Sequence, residues 1–495
     1  TLYRLEEDNQ QLHFEVLRND SLHLYMGGTT GVAIPFPPIH LYDPAGQPNT
    51  AMVVTYAVLH DTTVVIDDAY TDQNFDFSGT HHFDQRTGYR SRSFLTVPMK
   101  NHEDRIIGVF QLINALDPET GQIRTFSLAD RQLAESLASQ AAIALTNHQL
   151  IDQLQSLFES LIDLINAALD KKSPYTGAHC QRVPILTTMI AEAASQSERG
   201  RLKDFCPTPE ELYEIKIAGL LHDCGKITTP VHVVDKATKL ETIFDRIQLI
   251  ETRFAALERD AKIELLQDKL TALERGDLAA IPLLEQRFRD RLAALADDLE
   301  HLRRCNVGGE SMRAEDQERV RRIAARRWIG PDGQECDLLS ENEVHNLCIP
   351  KGTLNPEERA IVEEHVLLTL RMLKALPWPK PLRNVPEYAG GHHEHLDGGG
   401  YPRGLRDQEL TLQARIISLA DTFEALTARD RPYKPGKPLS EALAILGQMA
   451  QDRWIDPDLF DAFVRDEIWL KYARQYLPPE QIDAVDVDRI PGYVP

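Results

Sequence analysis

Apolar and polar positions change rhythm several times along the chain. "AMVVTYAVLHDTTVVIDD" and "DRIIGVFQLIN" are β-branched, partly alternating and bounded by polar turns, which predicts strands. "SLADRQLAESLASQAAIALTNHQL" then follows a helical period. Ser127 is its candidate cap, Asp130 lies three residues on, and neither Pro nor Gly recurs before Pro174. The pattern does not stop at the edge of the first unit. Leu150, Leu154, Leu157, Leu161 and Leu164 are spaced by 4, 3, 4 and 3, a heptad seam two repeats long. Such a seam predicts a signalling helix that dimerises in parallel and joins an input domain to an output domain. The plainer alternative is a helix packing on its own domain.

From 160 to 235 the pattern stays helical, with a break at "KKSPYTG". Residues 240 to about 328 are long, charged and periodic, which predicts a protruding antiparallel helical hairpin with its charges in solvent. "GPDGQECDLLSEN" reads as a loop, and helices resume from "NPEERAIVEEHV" to near the end. The expected fold class is multidomain. An α/β (α+β) sensor unit over 1–130 leads into a linker helix over 131–170. An all-α domain over 171–495 follows, with a hairpin insertion at about 240–345.

Length agrees with this division, since 495 residues suggest roughly three units. Hydrophobic residues at 42% and charged residues at 26% leave ample material for packed cores. A formal net charge of −22 argues against bulk binding to nucleic acid or to an anionic membrane surface. The longest apolar runs, such as "SFLTVPM", fall far short of the roughly 18 residues a membrane span needs. Six cysteines are scattered without a CxxC pair, the pattern of reduced thiols in a cytoplasmic protein. The chain starts at Thr1 without a methionine, so its natural N-terminus is expected to be missing.

Candidate chemistry lies in the second half. "GGHHEHLDGGGYP", residues 390–402, sets His392 and His393 in a glycine-rich frame, which suits a metal site beside a tight turn. In "YEIKIAGLLHDCGKI" the strongly apolar run ends in His222 and Asp223. An ionised Asp buried there costs several kcal/mol unless it is paired or holds a metal. His179 sits just after a helix break, His365 lies in an otherwise plain amphipathic helix, and Asp421 is another acid at an inward-looking position. Each alone reads as a satisfied core residue. Together they supply five imidazoles and two carboxylates, which suits two metal ions of the Fe, Mn or Zn type acting at phosphorus.

Taken in order, "PYTGAHCQRV", "LLHDCGKI", "GTLNPEERAIVEEHV", "HHEHLDGGGYPRGL" and "LADTFEALTARDRPYKPGK" resemble the HD-GYP family of metal-dependent phosphodiesterases, within the HD hydrolase superfamily. The resemblance covers residues 160 to 460 apart from the insertion. It implies that His179, His222 and Asp421 hold one divalent ion and His365, His392 and His393 a second, with Asp223 bridging. Iron or manganese is the expected metal. Lys226 would stand by the substrate phosphate. Arg431 and Lys434 match positions that bind substrate phosphate, and Gly400 and Tyr401 belong to a loop beside the substrate mouth that is implicated in contacts with GGDEF-domain partners. His395 sits at a variable position, and Glu394 is expected to orient a ligand imidazole or the loop. Tyr175 stands where some members carry a glutamate that helps hold a third metal, which favours two; Ser173 stands where aspartate is common.

The first unit resembles a GAF domain through "IDDAYTDQNFDF", "TGYRSRSFLTVPM" and "IIGVFQLIN", starting from what looks like its second strand. Asn114, Phe126 and Asp130 echo the cyclic-nucleotide pattern of that family. Ala115 and Arg131 replace its Lys and Glu, leaving a GAF ligand of unknown kind or a role in dimerisation alone. The resemblance implies a GAF-regulated cyclic di-GMP phosphodiesterase yielding pGpG, GMP or both, homodimeric through the linker helix. The alternatives are another cyclic dinucleotide as substrate, or a non-catalytic receptor or GGDEF-partner scaffold.

Overall fold

The computed structural model describes residues 1–6, 10–172, 174–309, 311–429 and 436–493, the backbone alone for 174–178. Ser173, Arg431, Lys434 and the side chain of Tyr175 therefore lie outside the described residues. The chain divides into two compact units, Thr1–Glu159 and Ser160–Pro495.

The first unit is built on seven strands: β1 (Leu2–Glu6), β2 (Gln11–Asn19), β3 (Leu24–Gly27), β4 (Ile39–His40), β5 (Val64–Ile66), β6 (Phe94–Lys100) and β7 (Ile106–Ile113). They pair antiparallel in the order β3-β2-β1-β7-β6-β5, with β4 also on β2. Alternation along β6 explains its two covers. Leu95, Val97 and Met99 pack on Ala134, Ala138 and Ala142 of the long helix described next, whereas Phe94 joins Val53 and Ala57 of α1 (Val53–Leu59). Part of the strand expected at 51–68 is thus helix. Val53, Val54, Ala57 and Val58 lie on one helical face, and their β-branched content hid that period. A further helix, α2 (Ser78–Thr87), helps line a cavity of about 710 Å³ with Tyr3, Phe14, Phe77, Phe94 and Gln111 in its wall.

Helix α3 runs over Leu128–Lys172. It starts where the sequence indicates: the Asp130 amide donates to Ser127 Oγ at 3.2 Å, and the Ser127 amide donates to Asp130 Oδ2 at 2.7 Å. The five seam leucines are 46–65% exposed.

The second unit is helical. It opens with α4 (Pro174–Ser195), α5 (Pro209–Leu221) and the short α6 (Val231–Val234). The expected hairpin is present as α7 (Ile247–Glu274) and α8 (Ile281–Asn306). Pairs Lys269–Glu285, Arg291–Glu264 and Arg303–Glu251 fix its antiparallel register. More than a hairpin is inserted, however. Phe254, Leu295 and Leu302 share one core with Val320 of α9 (Ala314–Ala324), Leu338, and Leu347 of α10 (Glu341–Leu347). The expected loop at 330–342 also carries a two-stranded hairpin, Arg327–Ile329 with Glu335–Asp337. Strands of three residues are too short to leave a periodic signal. The insertion therefore packs on itself.

After it come α11 (Pro356–Lys374), α12 (Val385–Ala389), α13 (Leu412–Thr427), α14 (Leu439–Gln451), α15 (Pro457–Arg465) and α16 (Ile468–Tyr476). Capping boxes start both α5 (Thr208 with Glu211) and α11 (Asn355 with Glu358), and each has Pro at the next position. Such a cap stabilises a helix by about 1 kcal/mol and fixes where its far end falls.

Candidate metal centre

Helices α4, α5, α11 and α13, with the turn after α12, bring the expected ligands together. His222 is the residue that closes α5, and Asp223 opens the 3-10 turn Cys224–Thr228, so the pair sits on a joint rather than inside a helix. Gly225 lets that turn lie against α11. Its amide donates to Thr369 Oγ1 at 2.9 Å, and a Cβ there would stand 2.1 Å from the His365 carbonyl oxygen. The contact sets Asp223 beside His365.

Asp223 is 2% exposed and faces both sides. Its Oδ2 lies 3.5 Å from His179 Nε2 and 3.4 Å from His222 Nε2. Its Oδ1 lies 3.1 Å from His365 Nε2 and 3.9 Å from His392 Nε2. Asp421 Oδ1 completes the first group, 3.0 Å from His179 Nε2 and 3.7 Å from His222 Nε2. Two groups of donor atoms result, His179–His222–Asp223 and His365–His392–His393, each mutually within 4.8 Å. Ligands held about 2.1 Å from one ion stand about 3.0–3.4 Å apart in right-angled or tetrahedral arrangements. Three of these six spacings fall in that range, and two, at 3.7 and 3.9 Å, are too long for hydrogen bonds.

Tautomers point the same way. The Nδ1–H groups of His222, His365 and His392 donate to the carbonyls of Gly219 (2.8 Å), Val362 (2.5 Å) and Ala389 (2.5 Å). A carbonyl can only accept, so in each neutral ring the Nε2 lone pair faces the site. His222 Nε2, His365 Nε2, His392 Nε2 and Asp223 Oδ1 are buried without hydrogen-bond partners. Four orphaned buried atoms converging on one space require a guest, and imidazole nitrogen with carboxylate oxygen is a divalent-metal donor set.

Charge is arranged to match. Burial alone would raise the Asp223 carboxyl, yet Lys226, His222 and His179 hold it well below the usual range. Asp421 is likewise depressed, burial being outweighed by His179 and His222. Burial would lower His222, but Asp223 and Asp421 push it up to about 9. On the other side burial pushes His392 well down and His393 down to about 3, so both stay neutral.

Family models described as HD domain match residues 176–302 and 341–459, and one described as GAF domain matches residues 11–145. Over 138 residues the chain is 40% identical to the 3'3'-cGAMP-specific phosphodiesterase 3 of Vibrio cholerae, 28% of this chain and 27% of that protein. It is 36% identical over 121 residues to the cyclic di-GMP phosphodiesterase of Thermotoga maritima, 24% of this chain and 32% of the relative. It is 28% identical over 218 residues to the cyclic di-GMP phosphodiesterase response regulator RpfG of Xanthomonas campestris, 42% of this chain and 56% of the relative. The second unit thus carries the HD-domain matches, and the relatives matched are cyclic-dinucleotide phosphodiesterases. The N-terminal module is a GAF domain. The chain spans only 27–56% of the length of these three relatives. The gap between the two HD matches falls inside the self-packed insertion. An HD domain implies divalent-metal binding, and the two clusters supply the donors.

The loop over 390–402 is organised by Glu394. Buried at 1% exposure, it accepts the amides of Arg403 and Leu405, both at 2.8 Å. Gly400 lies where a Cβ would stand 2.4 Å from the His395 nitrogen, and Tyr401 stacks on His393 with centroids 4.8 Å apart. His395 turns away and stacks on Trp454. Lys226 Nζ reaches Asp223 Oδ2 at 2.5 Å. Two residues of this site escaped the sequence reading. Glu424 Oε2 accepts from His179 Nδ1, and Arg182 donates to Glu424 Oε1 at 2.7 Å. The available signal was spacing: Arg182 follows His179, and Glu424 follows Asp421, by three residues each.

Proposed function

We propose that the chain is a metal-dependent phosphodiesterase hydrolysing cyclic di-GMP to pGpG, GMP or both, under the control of its GAF domain. In this reading His179, His222 and Asp421 hold one Fe or Mn ion and His365, His392 and His393 hold another. The observation that carries it is Asp223, whose two oxygens face two separate groups of imidazole nitrogens, those of His222, His365 and His392 being buried without hydrogen-bond partners. Divalent ions there would supply Lewis acidity and an acidified water for in-line displacement at phosphorus. Lys226 adds a cation beside the bridging carboxylate, placed to offset charge developing on a phosphoryl oxygen. Tyr401 offers a ring edge at the mouth, Gly400 lets backbone come close, and Arg431 and Lys434 would bind substrate phosphate. The same loop is the proposed contact for GGDEF-domain partners.

A second reading, a mixed cyclic GMP-AMP as substrate, is favoured by the 40% identity to a cGAMP-specific enzyme, since these ligands do not read a base. We place the protein in the cytoplasm on its six free thiols, and as a homodimer on its leucine seam. No helix among the described residues is long and apolar enough to cross a membrane.

Anaerobic purification, metal analysis and chromatography of products from cyclic di-GMP and from 3'3'-cGAMP test the proposal. About two Fe or Mn per chain with linear product are expected, and Asp223→Ala should lose both metal and turnover while keeping its helical circular dichroism. Metal without turnover of either dinucleotide would mean a receptor. Absence of metal would overturn the proposal.

A further inference from the structure

Three of the site's histidines are anchored through Nδ1 by backbone carbonyls, which are neutral acceptors. His179 is anchored differently. Its Nδ1 faces Glu424, a carboxylate that is 1% exposed and whose second oxygen is clamped by the Arg182 guanidinium at 2.7 Å. The four residues form a reciprocal pair of i,i+3 couples. On α4, His179 is followed one turn later by Arg182; on the facing α13, Asp421 is followed one turn later by Glu424. Glu424 on α13 thus supports the His179 donor of α4, and Arg182 on α4 holds Glu424 in turn.

A full negative charge behind an imidazole raises the basicity of its other nitrogen and so its strength as a ligand. The His179 side of the site also holds two carboxylate oxygens, Asp421 Oδ1 and Asp223 Oδ2, against only Asp223 Oδ1 on the side of His365 and His392. Lys226 beside Asp223 and Arg182 on Glu424 offset part of this difference, but they are two cations against three carboxylates. The two metal positions are therefore electrostatically unequal.

We propose that Glu424, locked by Arg182, is a positioning residue that makes the metal position of His179, His222 and Asp421 the stronger one, so that two divalent ions load in sequence and this position fills first. The inference rests on the two-metal reading above.

Titration of the metal-free full chain with Mn2+, followed by calorimetry and by the electron paramagnetic resonance of free Mn2+, tests it. Wild type should bind in two separated steps. Glu424→Gln keeps an acceptor for the His179 Nδ1–H but removes the charge, and should weaken the tighter step by about 10- to 100-fold while moving the weaker one less. A loss of packing alone would not single out one step. If Glu424→Gln fails the circular-dichroism check for folding, Glu424→Asp, which keeps the charge but draws it back from the His179 Nδ1–H, should weaken the same step. Two equal steps in wild type, or an unmoved tighter step in the folded variant, would overturn the inference while leaving the two-metal reading standing. No binding by wild type would remove both.

Discussion

A carboxylate buried among four imidazoles is stable only when something compensates its charge, because desolvation of an unpaired ion costs several kcal/mol. In the metal-free chain protons do so: Glu424, Asp223 and Asp421 outweigh burial to hold His179 well above its ordinary pKa, and His222 is pushed up to about 9. A metal must displace those protons, so uptake is linked to pH. The sign follows from the direction of the shifts. A raised pKa gives the metal-free fold stability that is complete below the unfolded value of about 6.5 and is lost as pH rises through about 9. Metal affinity runs the other way, rising about tenfold per pH unit for each proton displaced and flattening above that point. The difference in melting temperature between Mn2+-loaded and metal-free protein should therefore widen from pH 6.5 to 9. Differential scanning fluorimetry checks it, and a gap independent of pH would show that these imidazoles do not exchange protons for metal.

Among the elements, the helices that carry the ligands were legible because chemistry interrupts a strong apolar period: His222 and Asp223 follow Ile215, Ile217, Leu220 and Leu221, and Asp421 follows "ARIISLA". Glu424 and Arg182 were not legible, since one charge on an amphipathic helix looks like its solvated face until the packing of α4 on α13 is known. The core of the insertion was hidden for the same reason, its apolar residues being spread over five elements. Packing also gives the end of α3 a role that no pattern announced. Ile162, Asn166 and Leu169 are buried, and Lys172 Nζ donates to the carbonyls of Lys226 (3.2 Å) and Ile227, the C-terminal end of the turn that carries Asp223. A cation on the carbonyls that end a helical turn acts as a cap. Removing it by Lys172→Met should lower turnover about fivefold, equivalent to ~1 kcal/mol, with metal content retained. Amide exchange over residues 224–228 should quicken in step. Unchanged exchange there would mean that α3 does not brace the turn.

At the scale of the whole molecule, one uninterrupted helix belongs to both units, and its exposed leucines decide whether the chain works alone. Beside the seam, Ile151 and Ile165 are exposed as well, so the apolar face is wider than a bare heptad row. A fully buried leucine contributes about 1.5–3 kcal/mol, and these start roughly half-exposed, so five per chain bring about 5 kcal/mol each side. Association costs an estimated 4–15 kcal/mol. The proposed dimer would therefore hold without much to spare, and a formal charge of −22 on each chain works against it. Two consequences follow from that narrow margin. Added salt should tighten the dimer by screening the repulsion. Leu154→Lys with Leu161→Lys, which places four cations across the seam, should leave a monomer whose circular dichroism is unchanged. Sedimentation velocity over a concentration series measures both, and a double variant that remains dimeric would assign the subunit contact to another surface.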